Sequence, residues 1–255
     1  MIQSVQRATR ILSVLAEHYG EPITLTCLAR RAQLNSATCA HIVATLEAEG
    51  YVIKLSRTRG YVLGPEAYCL SRFGRYKNDL ITQCHPVMEY LHKMTGYTVI
   101  LAVIDGETKY IIDYIDNGEI FETKAQIRQD DIYRTATGRA ILANLSADKV
   151  FDVFAKYGKP GTQWPEVQSF EKMNRYCATV KKDGVFKNRN ENDTGWVYLG
   201  YGAALMKHGH CVGALGVAVK CTREQEIPFL QEKERLIMAL LERAVQQLNR
   251  RLQEN

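Results

Sequence analysis

Three closely spaced amphipathic stripes and then an alternating hairpin fill the first 65 residues, and that series is compatible with few folds. Val5, Ala8, Ile11, Leu12 and Leu15 recur at helical spacing on one face. Gly20-Glu21-Pro22 ends that helix. Thr24 stands at the N-cap of a short second helix, LTCLARRAQ, with Leu25, Leu28, Ala29 and Ala32 inward. After the Leu34-Asn35 turn, Asn35 or Ser36 caps a third helix. Its Cys39, Ile42, Val43 and Leu46 give the i, i+3, i+4, i+7 stripe. Gly50 fits the position just past its end, where a positive φ meets no side-chain clash. YVIKLSRTRGYVLG then alternates on both sides of a turn at Ser56 to Gly60, which reads as a β-hairpin with a basic tip. Three helices and a basic hairpin in this order predict a winged helix-turn-helix over residues 1–65.

Charge agrees with that reading. This segment holds seven basic residues, Arg7, Arg10, Arg30, Arg31, Lys54, Arg57 and Arg59, against four acidic ones. A local positive excess suits a small module that meets nucleic acid. The third helix itself carries no Lys or Arg. Its stripe points Ala37, His41, Ala44 and Ala48 outward, with Thr38 and Thr45 beside them. The expected DNA-contacting set is Arg7, Arg30, Asn35, Ser36, Ala37, Thr38, His41, Arg57 and Arg59. The arginines supply phosphate affinity, Ser36, Thr38 and the helix N-terminus bond phosphates without charge, and Ala and Thr methyl groups can touch thymine methyls.

From Pro65 the pattern changes. PEAYCLSRFGRYKNDL reads as a linker helix, assigned to 66–80. A longer helix follows through Thr95, with Leu80, Val87, Leu91 and Met94 inward. TVILAVID and TKYIIDYID read as strands, with FETKAQI a third. TATGRAILANLS reads as a helix whose glycine permits close approach to a neighbour. Helices near 148–157 and 166–183, strands at VFKNRN, WVYLGYGAALM and CVGALGVAVK, and a last helix from about Glu224 to Leu252 complete the chain. The whole is an α+β protein with a sensor-like domain over 81–255.

Several function classes are disfavoured. No run reaches the roughly 18 apolar residues of a membrane span. MIQSVQRATRILSVL has no basic segment ahead of a long apolar run, so a cytoplasmic protein is expected. Seven cysteines, an odd number with no Cys-x-x-Cys pair, read as buried reduced thiols. HGHC at 208–211 could hold a metal, but between two expected strands and beside Gly209 it reads as a polar hairpin turn. No metal or cofactor is expected. Asp113, Asp116, Glu119 and Glu122 are acidic neighbours around a turn, and His85 and His92 lie seven apart on one helix face. There is no glycine-rich phosphate loop, nucleophile elbow or His-Glu-x-x-His, so the chain is not read as an enzyme.

SVQRATRILSVL, LTCLARRAQLNSATCAHIVATLEAEGYV and RTRGYVLGPEAYCL together resemble the N-terminal domain of the IclR family of bacterial transcriptional regulators. Val5, Arg7 and Ala8 match that family's Val-x-Arg-Ala signature. TATGRAILA is similar to its Ala-x-Gly-Lys-Ala segment, and Glu191 and Gly195 in ENDTG to its Glu-x-x-x-Gly motif. The resemblance implies a winged helix, a linker helix and a C-terminal GAF-like domain that binds a small effector. It also implies a homodimer or tetramer on palindromic double-stranded operator DNA. It departs from the family at Ser36 and His41, where relatives usually carry a basic residue and an arginine.

By the same resemblance, the backbone at Ala136, Thr137 and Gly138 would receive an effector carboxylate at a helix N-terminus. The rest of the ligand wall falls on Asn188, Tyr198, Gly216 and Ala218, less polar than the family's set. Tyr198 and Trp196 suit an aromatic ligand, or the protein itself partly fills the pocket, and at most one of the two is expected to face it. Two readings remain beside an effector-responsive regulator: a C-terminal domain that serves only as an oligomerisation scaffold, and a winged helix that binds protein.

Overall fold

The computed structural model describes residues 1–18, 21–56, 58–73, 77–116, 128–129, 132–180 and 184–254. The chain divides into two compact units, with the division between Asn78 and Asp79.

The first unit opens with α1 (Gln3–Ala16), α2 (Leu25–Arg31) and α3 (Ser36–Ala48). Thr24 caps α2, accepting from the Cys27 N–H at 3.4 Å. Asn35, not Ser36, caps α3, accepting from the Thr38 N–H at 2.8 Å. Ile11, Val14, Leu15, Leu28, Ala29, Ala32, Cys39, Val43 and Val52 are buried in one cluster, with Leu25, Ile42 and Leu46 packed partly buried around it. Val5, expected on the inner face, is 56% exposed. The buried residues of α1 begin only at Ile11, so its first turns lie outside the core. Gly50, at φ +76°, ends α3 as expected.

β1 (Val52–Ser56) and β2 (Gly60–Leu63) pair antiparallel, Val52 opposite Leu63. Tyr61 exchanges both backbone hydrogen bonds with Ile23, at 2.9 and 3.0 Å. That bridge fastens the hairpin to the connection between α1 and α2. Arg10 donates to the Ala32 carbonyl at 3.3 Å and so ties α1 to the turn before α3. α4 (Pro65–Phe73) follows.

α5 (Asn78–Thr95) starts at the division and lies in the second unit from Asp79 on. Its buried stripe is Leu80, Cys84, Met88 and Leu91. That stripe advances four, four and three residues, which leaves Val87 at its margin and Met94 50% exposed, contrary to expectation. A six-stranded antiparallel sheet follows in the order β5-β4-β3-β8-β7-β6. Its strands are β3 (Thr98–Asp105), β4 (Thr108–Ile115), β5 (Arg128–Gln129), β6 (Phe186–Glu191), β7 (Trp196–Lys207) and β8 (His210–Thr222). FETKAQI, with Glu122, and also Glu119, lie outside the described residues.

Between β5 and β6 come α6 (Ala136–Ala143), α7 (Ala147–Tyr157) and α8 (Phe170–Val180). The Ser169 hydroxyl accepts from the Lys172 N–H at 3.2 Å, so α8 starts at 170 rather than 166. The C-terminal helix is two, α9 (Arg223–Glu232) and α10 (Glu234–Glu254), broken at Lys233, whose φ is −115°. HGHC forms the β7–β8 turn, with His208 and Gly209 both at positive φ.

Two-residue periodicity sorts the sheet's faces. Val197, Leu199, Tyr201, Ala203 and Leu205 of β7 join Leu215, Val217 and Val219 of β8 in one core with α5 and α10. The opposite face meets α6 through Ala102, Ala214 and Phe186. Four cysteines are buried, Cys27 and Cys211 are half-buried, and Cys69 on α4 is exposed, so the expectation of buried thiols fails there. Burial pushes the Cys84 thiol up to about 12 and that of Cys177 to about 11.

Candidate nucleic-acid interface and ligand-facing sheet

In the first unit, Ser36, Ala37, His41, Ala44, Thr45 and Ala48 are exposed and Thr38 is half-exposed. Asn35 is exposed but its carboxamide oxygen is committed to the cap. Arg30, Arg31, Lys54 and Arg59 are exposed and Arg7 is half-buried. The Arg59 N–H donates to the Ser56 hydroxyl at 2.9 Å, which shapes the hairpin tip. Arg57 lies outside the described residues.

In the second unit, register aligns residues scattered through the sequence. Asn188 pairs with Gly200, Gly200 with Ala218, and Ala218 with Thr98, one row across four strands. The next row runs Phe186, Gly202, Gly216 and Ile100. Asn190, Tyr198 and Lys220 form the row on the other side. Asn188, Tyr198, Gly216 and Ala218 therefore share the face that carries α6.

The N-terminus of α6 meets that face directly. The Ala136 N–H donates to Asn188 Oδ1 at 2.6 Å. The Gly138 N–H donates to the Thr135 hydroxyl at 3.2 Å. Two of the backbone donors expected to receive a carboxylate are thus engaged by the protein's own side chains. The glycines make this approach possible. A Cβ on Gly200 would stand 2.2 Å from Asn188 Oδ1, one on Gly202 2.5 Å from the Ala136 carbonyl carbon, and one on Gly216 2.5 Å from Thr137 Cγ2.

Charged groups surround this seam. Lys109, 1% exposed, donates from Nζ to the Thr135 hydroxyl at 2.8 Å. Arg139, 7% exposed, donates to the carbonyls of Tyr133, Gln163 and Lys187 at 2.9, 2.7 and 3.0 Å and lies 4.5 Å from the Trp164 ring centroid. Neither stands out in the sequence, where nothing marks a lone basic residue as buried. Trp196 and Tyr198, two apart, share the α6 face, contrary to expectation, and the Lys220 ammonium sits 4.6 Å from the Trp196 ring centroid. Thr98 donates to Asp116 at 2.5 Å.

Glu191 of the Glu-x-x-x-Gly motif serves an ion-pair network. It accepts from Arg223 at 2.5 Å and from Arg189 at 3.3 Å, while Arg189 also grips Glu226 at 2.6 and 2.8 Å. The guanidinium bonds hold both carboxyls below the usual range and tie the end of β6 to the start of α9. Gly195, at φ +83°, turns the chain into β7. Across the sheet, His85 Nδ1 lies 2.7 Å from Asp113 Oδ2, which raises the imidazole's pKa.

No described helix is long and apolar enough to cross a membrane. Residues 4–55 match the model of the IclR helix-turn-helix domain, and residues 76–250 that of the bacterial transcriptional regulator IclR C-terminal domain. The chain is 26% identical to the transcriptional repressor IclR of Escherichia coli over 160 residues. That stretch is 62% of this chain and 58% of the repressor, so little more than half of that relative is spanned. A solved IclR transcriptional regulator from Alicyclobacillus acidocaldarius shares the fold at a TM-score of 0.74 and 20% identity, covering 100% of this chain and 98% of that one. An IclR homologue from Microbacterium hydrocarbonoxydans, solved with 4-hydroxybenzoate, does so at 0.73 and 18%, covering 99% and 100%. With its C-terminal model covering more than half of its length, the chain belongs to the IclR family of bacterial transcriptional regulators.

Proposed function

We propose that this protein is a sequence-specific DNA-binding transcriptional regulator whose operator binding responds to a small metabolite, a carboxylate or an aromatic acid. The observation that carries the reading is the exposed, Asn35-capped α3, with exposed basic residues before it in α2 and after it in the hairpin. Residues 1–65 bind the operator, 66–80, which hold most of α4 and the start of α5, link the two functions, and 81–255 bind the effector and oligomerise. The protein acts in the cytoplasm as a homodimer or tetramer on a palindrome, without catalysis.

Arg7, Arg30, Arg57 and Arg59 supply phosphate contacts, and Asn35, Ser36, Ala37, Thr38 and His41 face the bases and the adjoining backbone. Arg30→Ala with Arg59→Ala is expected to weaken operator binding and flatten its salt dependence by about one unit of log–log slope for each phosphate no longer neutralised. Unchanged affinity and slope in a titration from low to high salt would reject this assignment.

The effector side rests on the face shared by Ala136, Thr137, Gly138, Asn188, Tyr198, Gly216 and Ala218. The complex of a family member with 4-hydroxybenzoate supports an aromatic acid. A carboxylate arriving at Ala136 has to displace Asn188 Oδ1, and the ligand shifts operator binding only if it favours one arrangement over the other. One observation favours a second reading, a C-terminal domain that is a scaffold: the α6 N-terminus is already closed by Asn188. A thermal-shift screen of small carboxylates and aromatic acids separates the two, because a ligand that binds the folded state raises Tm with concentration.

A further inference from the structure

The outward face of α3 has few of the groups that read base edges by hydrogen bonds. The helix contains no Arg, Lys, Asn or Gln, the side chains that bond guanine and adenine edges in pairs. Asn35, just ahead of it, has its carboxamide oxygen on the Thr38 N–H. The Thr45 hydroxyl turns back onto the helix and donates to the His41 carbonyl at 3.2 Å. Its methyl is then the group it can offer a partner. Between the exposed Ser36 at its start and Glu47 on its flank, the centre of the exposed face presents the methyl groups of Ala37, Ala44, Thr45 and Ala48 around one imidazole, His41.

In the major groove such methyls have one apolar partner, the C5-methyl of thymine. Small side chains also let the helix backbone approach the bases closely. Positive charge stands at the rim, on the exposed Arg30, Arg31, Lys54 and Arg59, where it attracts phosphate without reading sequence.

We propose that α3 specifies thymine. Ala37, Ala44 and Thr45 pack their methyls against C5-methyl groups in the core of each half-site, and His41 bonds a base edge beside them. The operator core is therefore rich in A·T pairs with thymines at set positions. This inference rests on the DNA-binding reading above.

The test begins with selection of bound duplexes from a random pool by the full-length protein. The enriched half-site is then remade with deoxyuridine in place of thymidine at each core position in turn. Uridine keeps every hydrogen-bonding group of thymine and lacks only the methyl, so the protein and its folding are untouched. Affinity is expected to fall about fourfold for each methyl in contact. The variant His41→Arg is expected to move the selected core toward guanine. Equal binding of the uridine and thymidine duplexes, or an enriched core of G·C pairs, overturns the thymine reading and leaves DNA binding standing. A pool with no enriched sequence overturns both.

Discussion

Replacing Gly200 by Ala should dislodge Asn188 from the end of α6. The new Cβ would lie 2.2 Å from Asn188 Oδ1 and 3.1 Å from its Cγ, too close for either to stay. The Asn188 side chain then swings away and the Ala136 N–H loses its 2.6 Å partner. Ala136 is 2% exposed, so water does not replace the bond. A buried donor left alone costs about 1–3 kcal/mol, and removing a strand-interior glycine returns roughly 0.5–1 kcal/mol. The net loss is about 0–2.5 kcal/mol, centred near 1 kcal/mol, or a few degrees of Tm for a unit of this size. Asn188→Ala removes the same bond from the other side and costs about 1–3 kcal/mol. Because both substitutions act through one hydrogen bond, the double variant should fall short of the sum by about 1 kcal/mol. Asn188→Asp, which sets a full negative charge on a helix N-terminus, should instead gain about 0.3–1 kcal/mol. Urea unfolding followed by tryptophan fluorescence reads the right unit, since both tryptophans, Trp164 and Trp196, lie in it. Additive costs in the double variant would refute the claim that Gly200 exists to admit Asn188.

Two further outcomes are expected. His85 has its folded pKa raised above 6.5, first by the hydrogen bond to Asp113. Its stabilisation is thus complete below the unfolded value and vanishes as pH rises through the folded one. His85→Gln should lower Tm near about pH 5.5 and change it little near about pH 9, and equal losses at both would exclude the ion pair as the cause. Arg139→Lys puts one ammonium where a fork served three carbonyls, so two charge-assisted bonds go. A loss of about 3 kcal/mol or more in chemical denaturation is expected, and a near-neutral result would show that the fork geometry is dispensable.

The N-terminal fold was legible because its information is local. The stripes in α1, α2 and α3, the Thr24 cap and the basic turn of the hairpin each lie within a few residues. Where reading failed, the missing information was tertiary. Val5 fits the stripe of α1, but packing against the other helices starts at Ile11. Met94 continues a plausible heptad, yet α5 meets the sheet along Leu80, Cys84, Met88 and Leu91. The break at Lys233 leaves no composition signal, since Pro228 sits inside α9 without ending it.

In the second unit, the family resemblance pointed to Asn188, Tyr198, Gly216 and Ala218, and the strand register puts them on one face. What the resemblance does not carry is what Asn188 touches. Its neighbour is Gly200, twelve residues along and one strand over, so the pairing is invisible until register is fixed. A signal was nevertheless present. β7 holds Gly200 and Gly202 two apart, and β8 holds Gly216 opposite Gly202. Glycines inside strands sacrifice packing and mark places where another backbone comes close. Three on one face, under a helix that begins Ala-Thr-Gly, indicate that the helix end is pressed onto the sheet rather than held off it by a ligand-sized gap. On that argument a carboxylate at the proposed effector site competes with the protein's own amide for the Ala136 N–H.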